Sequence, residues 1–328
     1  MRILFSADHH IKLGQKNVPK AWQTNRFLAL ADRLNEIFIE SKCDLHIIGG
    51  DILDVADPST EEIELLHAFL AKLPHQGIIY TGNHEMISKT ISCLDHLAYA
   101  INKATNGHWK VVNEEYRSQA FDIISYSHLH SKKWAPAQSQ LCFTHVRGEI
   151  PPHVTPEIDL SRFEEHGYSM VLAGDLHSQS NTQLINGRVS LVYPGSPLTT
   201  SFHRSRTVNT NGAIVIETDN LLFEWHELGD LPQLIRKTIE AGEEMVPDSY
   251  DRVIYEVTGD VSQLKNIKGS DLLDKKLNNK VTKDAKLNLE DLPLVEEIAL
   301  YLRDVQKLPE DVILRISSKA QEYVKDSN

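Results

Sequence analysis

Five short apolar runs in this chain end in the same way. "ILFSA" is followed by Asp8 and His10, "HIIGG" by Asp51 and Asp54, and "IIYTG" by Asn83 and His84. "LCFT" is followed by His145, and "VLAG" by Asp175 and His177. Runs of four or five apolar residues stopped by glycine or a polar residue read as buried strands. Taken alone, each ending has an ordinary explanation: a turn that Asp or Asn closes on its own backbone, or a core histidine with a satisfied ring. Repeated five times, always with Asp, Asn or His, the ending demands a common cause. In open α/β sheets the carboxyl edge of the strands is where ligands bind. The five clusters therefore converge in one crevice if the strands share such an edge.

The segments between the strands support a layered α/β architecture. "RILFSA" (2 to 7) is the first strand, and Lys20 to Lys42 has helical period, with Trp22, Phe27, Leu30, Leu34, Ile37 and Phe38 on one side. "DLHIIGG" is the second strand. "PSTEEIELLHAFLAKL" is a second helix, with Ser59 as N-cap and Glu62 closing a capping box. "GIIYTG" completes a β-α-β-α-β alternation, which implies an α/β sheet. Beyond about residue 105 the chain turns strand-rich, through "WKVVN", "FDIISYS", "QLCFTH" and "VLAG". Asn186-Gly187 in "QLINGRVSLVYPG" marks a hairpin, and "GAIVIETDNLLFEWHEL" reads as another pair. A first domain closes near residue 228. After it, "DLPQLIRKTIEAGEE" reads as helical and "RVIYEV" as a strand; residues 262 to 290 carry no clear period. "PLVEEIALYLRDV" and "PEDVILRISSKAQEYVKD" read as two amphipathic helices.

Seven oxygen or imidazole ligands (Asp8, His10, Asp51, Asn83, His145, Asp175 and His177) are too many for one tetrahedral zinc, and no thiolate is among them. They suit two divalent ions of the manganese, iron or magnesium kind, with one carboxylate bridging. Two such ions, about 3.5–4 Å apart, make the usual clamp for in-line attack on phosphorus. His84 is surplus to the ligand count, which makes it the candidate general acid for a leaving oxygen. The formal charge of −12 argues against a protein that coats nucleic acid by bulk charge, though not against a local grip. Carboxylates held for metal count towards that charge although the bound ions neutralise them. No apolar run approaches the ~18–20 residues that span a bilayer, so no membrane association is expected. Three scattered cysteines make no disulfide framework or zinc motif, which suggests a reducing cytoplasm.

These motifs resemble, in order and spacing, the five motifs of the calcineurin-like metallophosphoesterases: "DHH", "GGDILD", "GNHE", "FTHV" and "GDLH". "YPGSPLTTSFHR" (193 to 204) is similar to a signature of the SbcD-type nucleases, which process DNA ends with an SbcC-type SMC-like ATPase, and of phage recombination endonuclease subunits. The resemblance is strong to about residue 228 and weakens beyond 260. It implies a sandwich of two mixed sheets flanked by helices, a smaller α+β capping domain, and C-terminal helices. The corresponding boundaries are 1–228, 229–290 and 291–328. It also implies two divalent ions, manganese or magnesium, and a DNA exonuclease or endonuclease in repair, recombination or replication. The partners implied are DNA, the ATPase, and a second copy of the chain within a heterotetramer, in the cytoplasm (a host's, if the chain is phage-encoded).

By the same resemblance Asp8, His10, Asp51 and His177 hold the first ion and Asp51 bridges. Asn83, His145 and Asp175 complete the second. His84 contacts the scissile phosphate and protonates the leaving group, while Asp54 supports a ligand or faces the substrate. One position departs from the family: Asp175 stands where G-H-x-H has a histidine, which hardens the second ligand set. Lys12, Arg204 and Arg206 are candidates for phosphate contacts. Other readings are a phosphatase or cyclic-nucleotide phosphodiesterase on the same fold, and a catalytically weak scaffold with structural metals.

Overall fold

The computed structural model describes residues 1–152, 154–204, 210–278 and 293–325. Its backbone divides into two compact units, 1–257 with 268–276, and 258–267 with 277–328.

The first unit begins with the alternation that the sequence predicts: β1 (Arg2–Ser6), α1 (Lys20–Glu40), β2 (Leu45–Gly49), α2 (Thr60–Ala71), β3 (Gly77–Tyr80), α3 (Cys93–Ala104) and β4 (Trp109–Val112). Next come β5 (Glu115–Arg117), β6 (Asp122–Ile124), α4 (Tyr126–Leu129), β7 (Leu141–His145), α5 (Ser161–Glu165) and β8 (Met170–Gly174). The hairpin β9 (Gln183–Ile185) and β10 (Val189–Val192) precedes β11 (Gly212–Glu217) and β12 (Phe223–Glu227). One six-stranded sheet has the order β12-β11-β1-β2-β3-β4, the other β5-β6-β7-β8-β10-β9. Strands β1 to β4 are mutually parallel, as are β6, β7, β8 and β10, while β11 runs antiparallel to β1.

Strand alternation builds the layers. Ile3, Phe5, Ile47, Phe143 and Leu172 fill the space between the sheets. Leu4, Ile48 and Ile79 point the other way, onto Phe27, Leu30 and Leu34 of α1 and Leu66 and Phe69 of α2. Each such apolar side chain contributes about 1.5–3 kcal/mol by leaving water. The outer face of the second sheet packs Val171 and Leu191 against Phe163 and Trp134. The result is the sandwich of two mixed sheets flanked by helices that the motifs imply.

Local signals act as expected at two places. Ser59 and Glu62 form the reciprocal capping box of α2. Asn186 and Gly187 take φ of 51° and 72°, the left-handed pair that a tight hairpin between β9 and β10 requires. Helix α3, capped by Ser92 and Asp95, is not among the elements that the sequence pattern picks out.

The helical reading of "DLPQLIRKTIEAGEE" is corrected. Leu234–Glu240 is a strand, β13, in a three-stranded sheet with β14 (Arg252–Gly259) and β15 (Leu273–Asn278). Its β-branched Ile235, Thr238 and Ile239 favour the extended chain, and Arg236 reaches Glu256 of β14 and Asp274 of β15. The second unit holds α6 (Val261–Lys265), α7 (Leu294–Asp304) and α8 (Glu310–Lys325). None of the described helices is long and apolar enough to cross a membrane.

Candidate metal centre

Five loops bring the candidate residues to one place, each leaving the carboxyl end of β1, β2, β3, β7 or β8. The backbone turns sharply there. Asp8, His10 and Asp51 have φ of 57°, 50° and 51°, and Asp175 has 96°. A non-glycine residue held in such a region costs about 1–3 kcal/mol, which the buried strands beneath must offset. Gly82 shows how closely the loops approach: a Cβ there would lie 2.2 Å from Asp51 Oδ1.

The histidines are aimed. His10 Nδ1 faces Asp54 Oδ1 at 3.2 Å, and its Nε2 lies 3.1 Å from Nε2 of His177. His177 Nδ1 lies 3.3 Å from the Thr200 hydroxyl. His145 Nδ1–H donates to the Gly49 carbonyl at 2.9 Å, leaving Nε2 2.9 Å from Asn83 Oδ1 and 3.3 Å from Asp51 Oδ2. His84 Nδ1–H donates to the Asp54 carbonyl at 2.7 Å. Three rings thus have Nδ1 hydrogen-bonded, and His10 Nδ1 faces the Asp54 carboxylate, which leaves Nε2 as the ligand atom turned to the centre. Ligand atoms at about 2.0–2.2 Å from one ion, at right angles, sit about 2.8–3.1 Å apart. The 3.1 Å between His10 and His177 and the 2.9 Å between His145 and Asn83 match that spacing.

Three groups of potential ligands lie close together: Asp8, His10 and His177; His10, Asp51 and His84; Asp8, Asp51 and His145. Asp51 Oδ2 lies 3.8 Å from His10 Nε2 and 3.3 Å from His145 Nε2.

The electrostatics call for a cation. Burial pushes the Asp8 carboxyl up to about 6, with Asp51 adding and His145 opposing. Its Oδ2 is buried without a hydrogen-bond partner. Glu85 is likewise pushed up to about 7, by burial and by Asp51. Burial works against a charged His145, but the carboxylates of Asp51, Asp8 and Asp175 overcome it and raise the ring well above its ordinary value. A divalent ion would relieve both the crowded anions and the orphaned Asp8 oxygen. The donor set therefore fits divalent metal.

Among the described residues, the charged sequence candidates Asp54, Lys12, Arg204 and Asp175 stand apart from these groups. Asp54 bonds His10 and pairs with Lys12 at 2.6 Å; burial alone would raise its carboxyl, but these partners hold it below the ordinary value. Arg204 pairs with the buried Glu256 at 2.9 Å. The Asp175 carboxylate is held by Arg147, through Nε at 3.0 Å and Nη2 at 3.2 Å. Arg206 lies outside the described residues.

Some contributors lie inside the quoted motifs but have no role that the sequence assigns. Glu85 accepts the backbone N–H groups of Asp51, Leu53 and Gly82 at 2.7–3.1 Å and so clamps the second loop to the third. In "YPGSP", the Ser196 hydroxyl lies 2.7 Å from the Asp8 carbonyl, and its N–H donates to the His177 carbonyl. Tyr193 donates to the Val146 carbonyl. That motif ties the fourth, fifth and first loops together.

Residues 1–227 match the profile of the calcineurin-like phosphoesterases. The chain belongs to that family. Its sandwich is the metallophosphoesterase fold, and it is a metal-dependent phosphodiesterase by class. Over the full length of both chains it is 65% identical to a protein of Escherichia phage T5 called "Probable exonuclease subunit 1". Among solved structures it is similar to TT1561 of Thermus thermophilus, at 7% identity and a TM-score of 0.45 over 69% of this chain and 98% of that one. It is also similar to the Pseudomonas putida nuclease MPE, at 17% identity and a TM-score of 0.32 over 65% and 83%.

Proposed function

We propose that this chain is the nuclease subunit of an SbcD-like complex: it hydrolyses DNA phosphodiester bonds at or near ends, with two divalent ions, of which Mn2+ suits the ligands best. The observation that carries the reading is the 65% identity, end to end, with a phage protein named as an exonuclease subunit. The word "subunit" in that name supports a multichain assembly, in which an SbcC-type ATPase is the proposed partner.

Asp8, His10, Asp51 and His177 would hold one ion, and Asp51, Asn83, His145 and Asp175 the other. Bound there, the ions would supply Lewis-acid polarisation of a phosphoryl oxygen and a water of lowered pKa. The chain's own residues do the rest. Asp54 fixes the His10 ring and Gly49 the His145 ring. His84, its Nδ1 tied to the Asp54 carbonyl and its side chain 42% exposed, presents Nε2 to the crevice and delivers a proton there to the leaving oxygen. Lys12 and Arg204 face phosphates flanking the scissile bond; Arg206 is proposed with them.

The proposed division is 1–228 for catalysis, 229–290 as a cap and 291–328 for partner binding. Exposed Leu294, Tyr301, Leu314 and Ile316 on α7 and α8 support the last assignment. The proposed setting is a cytoplasm, the host's if the gene is a phage's.

The test uses purified chain, with and without a cognate ATPase, on end-labelled duplex and single-stranded DNA with Mn2+ or Mg2+. Metal-dependent cleavage from the ends supports the reading. Hydrolysis of p-nitrophenyl phosphate or a cyclic nucleotide, with DNA untouched under every metal, replaces it with a phosphatase or cyclic-nucleotide phosphodiesterase.

A further inference from the structure

His145 pairs with Gly174 in the parallel register of β7 and β8, so the two chains leave the sheet side by side. Arg147 and Asp175 follow immediately, and the register brings them together. The guanidinium grips both carboxylate oxygens, Nε to Oδ2 at 3.0 Å and Nη2 to Oδ1 at 3.2 Å. Asp175 N–H meanwhile donates to Asp8 Oδ1 at 3.0 Å, so this residue is anchored between the two halves of the centre. Its carboxylate is 6% exposed, whereas the Arg147 side chain is 44% exposed.

Two consequences follow for a cation approaching Asn83 and His145. The Asp175 carboxylate, which the two-ion reading assigns to that cation, is already occupied by a guanidinium fork, and a positive charge stands beside it. Opening the pair alone strands a nearly buried carboxylate, which is costly unless each charge gains a new partner in the same step. A phosphodiester is the natural second partner. Arg matches phosphate oxygens with the same fork that it offers a carboxylate, and the Arg147 side chain is exposed enough to meet one.

We infer that Arg147 and Asp175 form an exchange pair: a substrate phosphate takes the guanidinium, and the released Asp175 carboxylate joins Asn83 and His145 in holding the second cation. This rests on the reading of the site as a two-ion phosphodiesterase. Arg147 is then a specificity-determining residue that makes second-ion binding depend on substrate, and the dependence is reciprocal.

The experiment is Mn2+ titration of the full chain, followed by calorimetry and by EPR counting of bound ions. It is run with and without a dinucleoside phosphonate whose carbon bridge cannot be hydrolysed. In the native chain the probe should tighten the second ion about tenfold. Arg147→Ala should bind the second ion about tenfold more tightly without the probe and respond less to it, and Arg147→Lys should fall between. Arg147→Ala with Asp175→Asn should lose that gain while the first ion stays as in the native chain. Unchanged or weaker second-ion binding in Arg147→Ala overturns the proposal, and so does a double variant that keeps the gain, because Asp175 is then not the group released. If the native chain takes up only one ion even with the probe, the two-ion reading fails as well; two ions of equal affinity in native and Arg147→Ala chains sink the exchange pair alone.

Discussion

The two halves of the centre are built from the same residue types at equivalent strand ends, yet they are held differently. Around Asp8, His10 and His177 the ligand atoms face one another and one is left wanting: Asp8 Oδ2 is buried with no partner, and burial pushes this carboxyl up to about 6. Around Asn83, His145 and Asp175 every group has a partner within the protein. His145 is shared by the Gly49 carbonyl, Asn83 and Asp51, and Asp175 is taken by Arg147. A buried anion without a partner gains most from a cation, whereas satisfied groups must first give something up. The first half should therefore fill first, and the second should be conditional.

The largest expected effect comes from Asp51, the residue that the proposed two-ion reading gives to both halves. Asp51→Asn should remove the second ion, weaken the first, and cut DNA cleavage by on the order of 10³-fold or more, the several kcal/mol of charge stabilisation that metal provides. Elemental analysis alongside end-labelled DNA checks both. Full second-ion occupancy in this variant would merge the halves into a site that does not need a bridge. Next, His84→Ala should lower cleavage by about 10²–10⁴-fold with the metal count unchanged, if the proton delivery proposed for it is its role. Loss of an ion instead would assign His84 to the first half as a ligand, which its proximity to His10 and Asp51 permits. Smaller is Glu85→Gln. An amide cannot accept all three backbone N–H groups that Glu85 now receives, so the loops bearing Asp51 and Asn83 should loosen. Metal affinity should fall about 10–100-fold, more for the second ion than the first.

The smallest effect lies outside both halves and sets the baseline for any pH study. Burial pushes His75 down to about 4 and His46, behind it, well below the ordinary histidine value. Above about pH 6.5 the folded and unfolded chains hold these rings alike. As pH falls from there towards 4, the unfolded chain takes up protons that the folded chain refuses, so stability drops. His75→Phe, which keeps the stack on Phe38, should remove roughly 1–2 kcal/mol of that drop after allowance for solvent screening. Chemical denaturation at pH 7 and pH 5 measures it, and an unchanged slope would assign the acid sensitivity to groups other than His75.

Much of this was legible in the residues because strand ends are a local signal. An apolar run followed by Asp, Asn or His marks both the strand and the edge that carries the ligand, and Ser59 with Glu62 marks a helix start within four residues. What stayed hidden depends on register and on partners far away in the chain. Arg147 looks like any surface arginine until β7 and β8 are aligned and Asp175 falls beside it. Glu85 sits inside a conspicuous motif, but its task is set by backbone N–H groups more than thirty positions away. Leu234–Glu240 is short enough for its apolar residues to fit either period, and the strand was decided by the neighbours Glu256 and Asp274.

Anomalous diffraction from crystals soaked in Mn2+ tests the central claim most directly. The account predicts two peaks about 3.5–4 Å apart, one against Asp8, His10 and His177 and the other against Asn83 and His145, with Asp51 between them and the first peak stronger at limiting metal. A single peak at saturating Mn2+ with a phosphodiester analogue bound, or ions seated away from Asp51, would contradict it.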